Sequence, residues 1–370
     1  MNNFLNSLRY YARQSIVHID FPLLMIAFAI LAIGVMTVHS ATFDGVDRSW
    51  SQATHAGLAF ILMWFIARMP PQKLMSIAVP LYVLGIILLI AVFLFGVKIN
   101  GARRWLPLGF TRIQPSEIMK IAMPLMLAWY FQHYEAVLKL RHYALAALLL
   151  MVPFALIAKQ PDLGTAILVG AAGFYVIFLA GLPWKFIIGL MAAGGAAAPF
   201  LWNLLHDYQR KRILTLLDPT TDPLGAGYHI IQATIAIGSG GIFGKGYLKG
   251  TQTHLEFIPE KHTDFIFAVF SEEWGLIGNS ILLVLYFMLI ARSLMIAAAA
   301  PTLFTRLLAG AVSLVFFTYA FVNMGMVSGI LPVVGVPLPF VSYGGTALVT
   351  LFICIGILMS IHTHRMLVKK

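Results

Sequence analysis

Cysteine is almost absent: Cys354, inside the last apolar run, is the only one in 370 residues. A lone cysteine excludes an internal disulfide framework and any multi-cysteine metal site. Charge is scarce too. Asp, Glu, Lys and Arg make up 11% of the chain, where soluble domains carry about 25%. Hydrophobic residues make up 60%, and mean hydropathy is +0.88. These values exclude a soluble globular protein and imply an integral membrane protein with most of its mass in the bilayer. Spans of roughly 20 residues consume the length, so it does not imply several soluble domains. Acidic residues are the scarcer charge, 14 against 25 Lys and Arg, for a net charge of +11. That balance suits an anionic partner, which in a membrane means lipid headgroups or lipid phosphates before nucleic acid. No internal repeat, charge block or low-complexity tail marks a separate domain.

The apolar runs fall at about 21–38, 54–69, 76–96, 115–132, 143–158, 164–181, 186–205, 264–291, 306–331 and 340–361. The first is too long for a signal-peptide core and lacks a clear cleavage site, so it reads as an uncleaved span. The expectation is an all-α polytopic membrane protein, one integral membrane domain over residues 1–370 with ten transmembrane helices. A large extracytoplasmic loop, about 207–263, separates helices 7 and 8. An even count puts both termini on one side. Every connection on that side carries Lys or Arg: Arg9 and Arg13, Arg68 and Lys73, Lys139 and Arg141, Lys185, Arg292 and Arg306, then Arg365, Lys369 and Lys370. The positive-inside rule makes it cytoplasmic. The opposite side holds as many basic residues, but they cluster in 97–114 and 207–263, with none in 332–340. An even spread fits topology; a clustered one fits a binding task.

Residues 252–275 read QTHLEFIPEKHTDFIFAVFSEEWG, a polar loop running into a long apolar helix with Asp264 at the join. An ionisable group there is a functional candidate by default; alternatively Asp264, or Thr263 before it, N-caps the helix. On a straight helix Glu272 would lie about 80° round and roughly 12 Å deeper than Asp264. Glu273 would face the other way. Neither forms a catalytic carboxylate pair with Asp264, and both are expected to pair with other helices or to sit near the inner half of a cavity.

Residues 97–120 read VKINGARRWLPLGFTRIQPSEIMK. Asn100-Gly101 marks a turn. Arg103, Arg104 and Arg112 surround Trp105, which suits either an interfacial anchor or a pocket for a phosphorylated headgroup held by charge-assisted contacts. Glu117 and Lys120, three apart in an apolar run, can pair on one face, as a structural ion pair or as part of that pocket. In KQPDLGT, 159–165, Asp162 either caps the next helix or lines the same cavity with Lys159. Arg210 belongs to the basic run Asp207–Arg212. The glycines that follow are not a nucleotide loop: Gly244-Lys245 would need Gly at 239 and Ser or Thr at 246, where Ser239 and Gly246 stand. In 323–346, Pro332, Pro337 and Pro339 with Gly335 forbid a continuous helix. Broken backbone at membrane depth is tolerated only where protein buries it or it lines a cavity. His362 and His364, at i and i+2, do not face one site, so the HTHR run reads as a basic tail rather than a metal site.

These stretches together resemble the shape, elongation, division and sporulation (SEDS) family. The resemblance rests on Asn323 to Thr346 with Ser342-Tyr343-Gly344-Gly345, and on QPSE at 114–117, PDLG at 161–164, DPLGAGYHIIQ at 222–232, GSGGIFGKG at 238–246 and PEKHTDFIFAV at 259–269. The motifs stand in family order and cover the chain from Phe21 on. The short N-terminus and the HTHR tail fit the elongation branch. One departure is Phe270-Ser271 before Glu272-Glu273-Trp274, where relatives often carry small or aliphatic residues. The resemblance implies a ten-helix peptidoglycan glycosyltransferase of the bacterial inner membrane. It would polymerise lipid II into a nascent glycan strand, on the periplasmic side, during rod-shaped elongation. Its implied partners are a class B penicillin-binding protein transpeptidase and other elongation-complex membrane proteins, with no nucleic acid. It assigns the catalytic acid to Asp264 and matches Glu117, Lys120 and Asp162 to family positions.

The donor glycan would leave polyprenyl pyrophosphate, already a good leaving group, while the acceptor hydroxyl needs a base. One carboxylate suffices for an inverting transfer, and base catalysis is worth typically about 10²–10⁴-fold. Asp264 is the expected base. Arg103, Arg104, Arg112, Lys120 and Arg210 are the cations expected to stabilise the departing pyrophosphate; with Glu117 and Asp162 they form the expected substrate-binding set. No metal ligand is assigned, and no resident cofactor is expected. A divalent cation, Mg or Mn, bridging pyrophosphate and a carboxylate remains compatible. The rival functions are a flippase for the same lipid, which would need charges along a path through the bilayer, and a non-enzymatic scaffold activating a partner synthase, which has no need of an acid at a cavity mouth.

Overall fold

The structure, a computed structural model, describes residues 18–42, 46–99, 102–107, 112–135, 138–204, 207–222, 225–255, 257–258 and 260–364. The Asn100-Gly101 turn, Arg9, Arg13, Pro223, Leu224, Pro259, Arg365, Lys369 and Lys370 lie outside the described residues.

Apolar sequence becomes helix because a backbone in hydrocarbon must satisfy its own polar groups. The helices are α1 (Phe21–Thr42), α2 (Val46–Arg68), α3 (Pro71–Phe95), α4 (Pro115–His133), α5 (Leu140–Ala158), α6 (Leu163–Leu179), α7 (Trp184–Leu204), α8 (Asp207–Leu217), α9 (Ala226–Gly240), α10 (Thr251–His254), α11 (Ile266–Ala298), α12 (Leu303–Val327) and α13 (Gly345–Thr363). Six of them, α1, α3, α5, α11, α12 and α13, are long and apolar enough to cross a membrane. Within the bundle α2 packs on α13, α11 on α12 and α1, α3 on α4, and α6 on α4, α5 and α12. Pro71 and Pro115 open α3 and α4 at positions where the missing N–H costs nothing.

Three features depart from a plain reading of the sequence. The described residues of the basic stretch 97–113 form a three-stranded antiparallel sheet: β1 (Val97–Ile99), β2 (Ala102–Pro107) and β3 (Arg112–Ile113), in the order β1-β2-β3. Val97 pairs with Trp105, Ile99 with Ala102, and Leu106 with Ile113. Next, helix α2 begins well before the apolar run at 54, so it carries Arg48, Ser51 and His55 on its first turns. Lastly, α11 is interrupted at Gly275, whose φ of 61° and ψ of −158° are non-helical.

The interruption frees four backbone groups, and one segment takes them all. Leu276 N–H donates to Gly241 O at 2.9 Å and Ile277 N–H to Ile242 O at 3.1 Å. Lys245 N–H donates to Glu272 O and Gly246 N–H to Glu273 O, each at 3.0 Å. The glycine-rich turn after α9 therefore splints the broken helix. The first turns of α11 also run across the bundle. Asp264 O receives a hydrogen bond from Asn323, which stands about 30 Å along α12 at 1.5 Å per residue. Nine residues on, Glu273 accepts from Ser40, about 29 Å along α1. The segment from Asp264 to Glu273 thus bridges α12 and α1.

Glu272 and Glu273 pair as expected with other elements. Fully buried Glu272 accepts from Lys245 Nζ at 2.8 Å, Thr251 Oγ1 at 3.1 Å, Gln252 N at 2.9 Å, and Thr253 N and Oγ1 at 3.3 and 3.1 Å. At the other end of α1, buried Asp20 caps the helix through Leu23 N at 2.9 Å. It also accepts from Arg292 Nε at 3.2 Å and lies 3.4 Å from His362 Nε2. His362 thus serves a helix-end clasp, and the described residues hold no group of three or more His, Cys, Asp or Glu placed to bind a metal.

A Cβ at Gly275 would lie 2.4 Å from Gly244 N and 2.8 Å from Ile242 O. Gly275→Ala is expected to strain the left-handed backbone by roughly 1–3 kcal/mol and to push the splint off its four partners. Detergent-solubilised Gly275→Ala should melt several degrees lower, or fail to accumulate as a monodisperse peak, while an Ala at Gly189, which meets nothing within 4 Å, behaves as wild type.

Candidate functional site

Asp264 lies in the loop just before α11. The helix N-cap is Phe265, without a side-chain cap, so neither Asp264 nor Thr263 caps it; Thr263 Oγ1 donates instead to Glu260 O at 3.2 Å and Oε2 at 2.9 Å. The capping alternative is thereby removed.

What holds Asp264 is Asn323 of α12 together with the Pro/Gly segment 328–344, which is as broken as its composition implies. Buried Asn323 donates from Nδ2 both to Asp264 O at 2.9 Å and to Val336 O at 2.7 Å. Ser342 Oγ donates to Thr263 O at 2.6 Å and accepts from Leu338 N at 2.7 Å. Tyr343 N donates to His262 O at 2.8 Å. Gly335, at φ +75°, leaves room beside the acid: a Cβ there would sit 3.3 Å from Asp264 Oδ2. The buried turn is over-determined enough to keep Phe340 in the left-handed region, at φ 62°, against Phe316 and Phe352.

The acid is half-buried. Burial pushes its pKa up, and the negative charge of Glu260 pushes the same way. Arg104 and Arg212 pull it down and Asp162 adds a small upward push, leaving it at about 6. A carboxylate in that range is ionised at neutral pH yet basic enough to accept a proton.

Arg104 comes from β2, where alternation turns it to one face and Arg103 to the other. Its guanidinium donates to Pro161 O at 2.6 Å and approaches Asp162 Oδ1 at 3.7 Å. Asp162 caps α6 through Thr165 N at 3.3 Å, the first of the two alternatives for it, and also accepts from Gln114 Nε2 at 3.0 Å beside Arg104. Glu117 and Lys120 form a buried pair at 2.6 Å, Nζ to Oε1. Thr350 Oγ1 donates to Glu117 Oε2 at 3.1 Å, and the Tyr319 ring lies 5.2 Å from Lys120 Nζ. The pair ties α4 to α12 and α13. Arg103 and Arg112 are exposed on the sheet. Arg210 is used elsewhere: its Nε and Nη2 donate to Trp202 O at 2.9 Å and Asn203 O at 2.8 Å, at the end of α7. It is Arg212, two residues on, that acts on Asp264.

Arg212, Gln114, Asn323 and His229 were not singled out from the sequence. His229, on α9, is half-buried and stacks on Phe265 at 5.7 Å, within the field of Glu260 and Asp222. The alternation of the run 207–212 does not say which arginine faces inward, and an Asn inside an apolar helix gives no sign of its acceptors.

Glu117→Ala would leave the Lys120 ammonium buried without its carboxylate, a loss of roughly 3–5 kcal/mol. Glu117→Ala combined with Lys120→Met should melt higher in detergent than Glu117→Ala alone. Equal melting of single and double variants would mean that Lys120 finds another partner.

Known proteins place this geometry. The FtsW/RodA/SpoVE family model, described as cell cycle protein, matches residues 15–367. The peptidoglycan glycosyltransferase MrdB of Escherichia coli K12 is 51% identical over 355 residues, covering 96% of each chain. The peptidoglycan glycosyltransferase RodA of Treponema pallidum is 31% identical over 424 residues, covering 94% of this chain and 98% of its own. Among solved structures, a peptidoglycan synthase complex that coordinates polymerisation and crosslinking contains a chain that superposes with a TM-score of 0.82 at 34% identity, covering 94% of this chain and 98% of that one. The crystal structure of rod shape determining protein RodA of Thermus thermophilus superposes with a TM-score of 0.71 at 32% identity, covering 94% and 97%. With the match running nearly end to end in sequence and in fold, the chain belongs to the FtsW/RodA/SpoVE family of cell cycle proteins, the SEDS family that its motifs resemble.

Proposed function

We propose that the protein is a peptidoglycan glycosyltransferase that polymerises lipid II during rod-shaped growth, with Asp264 as the base. The observation that carries the reading is the half-buried carboxyl of Asp264, held by its own backbone to Asn323, tuned to about 6 and faced by Arg104 and Arg212. Asp264 takes the proton from the acceptor sugar hydroxyl as that oxygen attacks the anomeric carbon of the donor. The anomeric C–O bond breaks, the configuration inverts, and the bonding pair leaves with the polyprenyl pyrophosphate. Arg104 and Arg212 are cations fixed in place before charge develops there, which is where preorganised charge is worth most. Arg103 and Arg112, exposed on the same sheet, meet the phosphates on approach. Asp162 positions Arg104, and the Glu117–Lys120 pair ties α4 to α12 and α13. A divalent cation, Mg or Mn, would enter with the pyrophosphate rather than as a resident ion.

The four remaining long helices, α2, α4, α6 and α7, complete ten spans with the six most apolar ones. The termini and the Asp20 clasp then lie in the cytoplasm of a bacterial inner membrane. The loop 207–263 and Asp264 lie on the periplasmic side, where a class B transpeptidase would crosslink the emerging strand. A flippase would need charge strung through the bilayer, whereas Arg104, Arg212, Glu260 and Asp264 gather at one end. Purified protein with lipid II alone separates the readings: glycan chains on a gel are expected, where a flippase or scaffold yields none.

Asp264→Asn should fold and insert as wild type, since the side chain caps nothing, while polymerisation falls at least about 10²-fold. A variant that still polymerises at near the wild-type rate would sink the base assignment. The acid limb of the rate profile is expected near the pKa of about 6, with activity lost as pH falls through it because the base becomes protonated. Removing the positive charge in Arg104→Ala should move that limb up, and removing the negative charge in Glu260→Gln should move it down. A limb that stays put in both variants belongs to another group.

A further inference from the structure

The splint at Gly275 carries a surface that catalysis does not use. Gly241 and Ile242 are bonded to Leu276 and Ile277, so the tip of the glycine-rich turn is fixed beside the first turn of the α11 segment that continues to Ala298. That segment shows apolar side chains outward all along its length: Leu276 is 60% exposed and Ile277 45%, followed by Ile281 and Val284. The tip shows the same character. Ile242 is 59% and Phe243 81% exposed, and Tyr247 and Leu248 are also open. The nearby charges are differently placed. Lys245 is drawn inward onto Glu272 and Thr251, Glu273 is buried against Ser40, and Lys249 is exposed. The Tyr247 hydroxyl meets His39 Nδ1 at 2.9 Å, so its polar end points to the last turn of α1.

We infer that the turn 241–249 is a membrane-interfacial anchor whose partner is the lipid bilayer itself, with Ile242 and Phe243 seated at the boundary of acyl chains and headgroups and Lys249 reaching lipid phosphate. An exposed patch of this kind marks an interaction surface. Lipid is the occupant because the patch continues the outward face of a spanning helix at the height where that helix begins. Tyr and Lys at its edge suit the headgroup layer, one offering an amphipathic ring and the other a charge on an apolar stem. Bilayer contact there also has a mechanical meaning. The same turn holds the carbonyls of Glu272 and Glu273, and Glu272 caps α10, whose Thr253 O accepts from Lys261 Nζ at 3.0 Å, three residues before Asp264. The anchor thus sets the height of the Asp264 loop relative to the lipid phosphates. The inference rests on α11 spanning the membrane and not on the reaction, so its failure leaves the base assignment untouched.

The test uses the full chain reconstituted in vesicles of phosphatidylethanolamine and phosphatidylglycerol. Phe243→Cys, and separately Ile242→Cys, is labelled with a polarity-sensitive maleimide dye; buried Cys354 provides the unlabelled background. Exposed Thr220→Cys, on the single turn Pro219–Thr221, is the control. Both labels at the tip should emit at shorter wavelength than the control. A nitroxide carried high on the lipid acyl chain should quench them at least about threefold more than it quenches the control, as expected for a group seated at the interface. Water-like emission with control-level quenching at both positions overturns the proposal. So does protection that appears only when a partner transpeptidase is added, which would assign the patch to a protein contact.

Discussion

In hydrocarbon no backbone N–H or C=O can be left unpaired, and this constraint shapes every unusual feature of the molecule. The chain breaks regular helix at two places within the bundle, and each break is closed by specific bonds. At Gly275 four freed groups are taken by residues 241–246. Across 328–344 the Asn323 amide donates to Val336 O, the Tyr286 hydroxyl donates to Pro339 O at 2.7 Å, and the Ser342 hydroxyl accepts from Leu338 N, so groups that a helix would have paired are paired here by side chains. These closures are also what position the site, since Asn323 and Ser342 bond to the backbone of Asp264 and Thr263 in the same stroke.

Holding an acid by its backbone frees its side chain. Asp264 has no capping duty, and its carboxyl faces the space that Gly335 keeps open. Its proton affinity is then a balance of position: burial and Glu260 raise it, while Arg104 and Arg212 lower it. Carboxylates a short way off meet different fates because their surroundings differ. Glu272 collects donors from five groups and is spent on structure, and Glu117 is locked onto Lys120. Asp162 stands between, capping α6 while sharing Arg104 with the site.

The sheet at 97–113 shows how a short strand sorts like charges. Alternation along β2 sends Arg104 toward Pro161 and Asp162 and leaves Arg103 exposed, so two adjacent arginines meet different surroundings. The same sorting happens on α8, where the end of α7 absorbs Arg210 and Arg212 reaches the field of Asp264.

Much of this was determined by the sequence alone. Apolar runs near 20 residues must become helices in a bilayer, so the long helices lie within a few residues of the runs, except where polar turns extend α2 and α11 is broken. Proline and glycine at 329–339 exclude a helix there, and the spacing of Glu117 and Lys120 leads to their pair. The role of Asp264 as cap or free acid, the choice of Arg212 over Arg210, the partners of Glu272, and the use of the glycine run as a splint were decided only by tertiary structure. Each depends on which groups from distant parts of the chain come within hydrogen-bonding or Coulombic reach. Local periodicity fixes the face a side chain occupies on its own helix or strand, but it carries no information about the partner that face will meet.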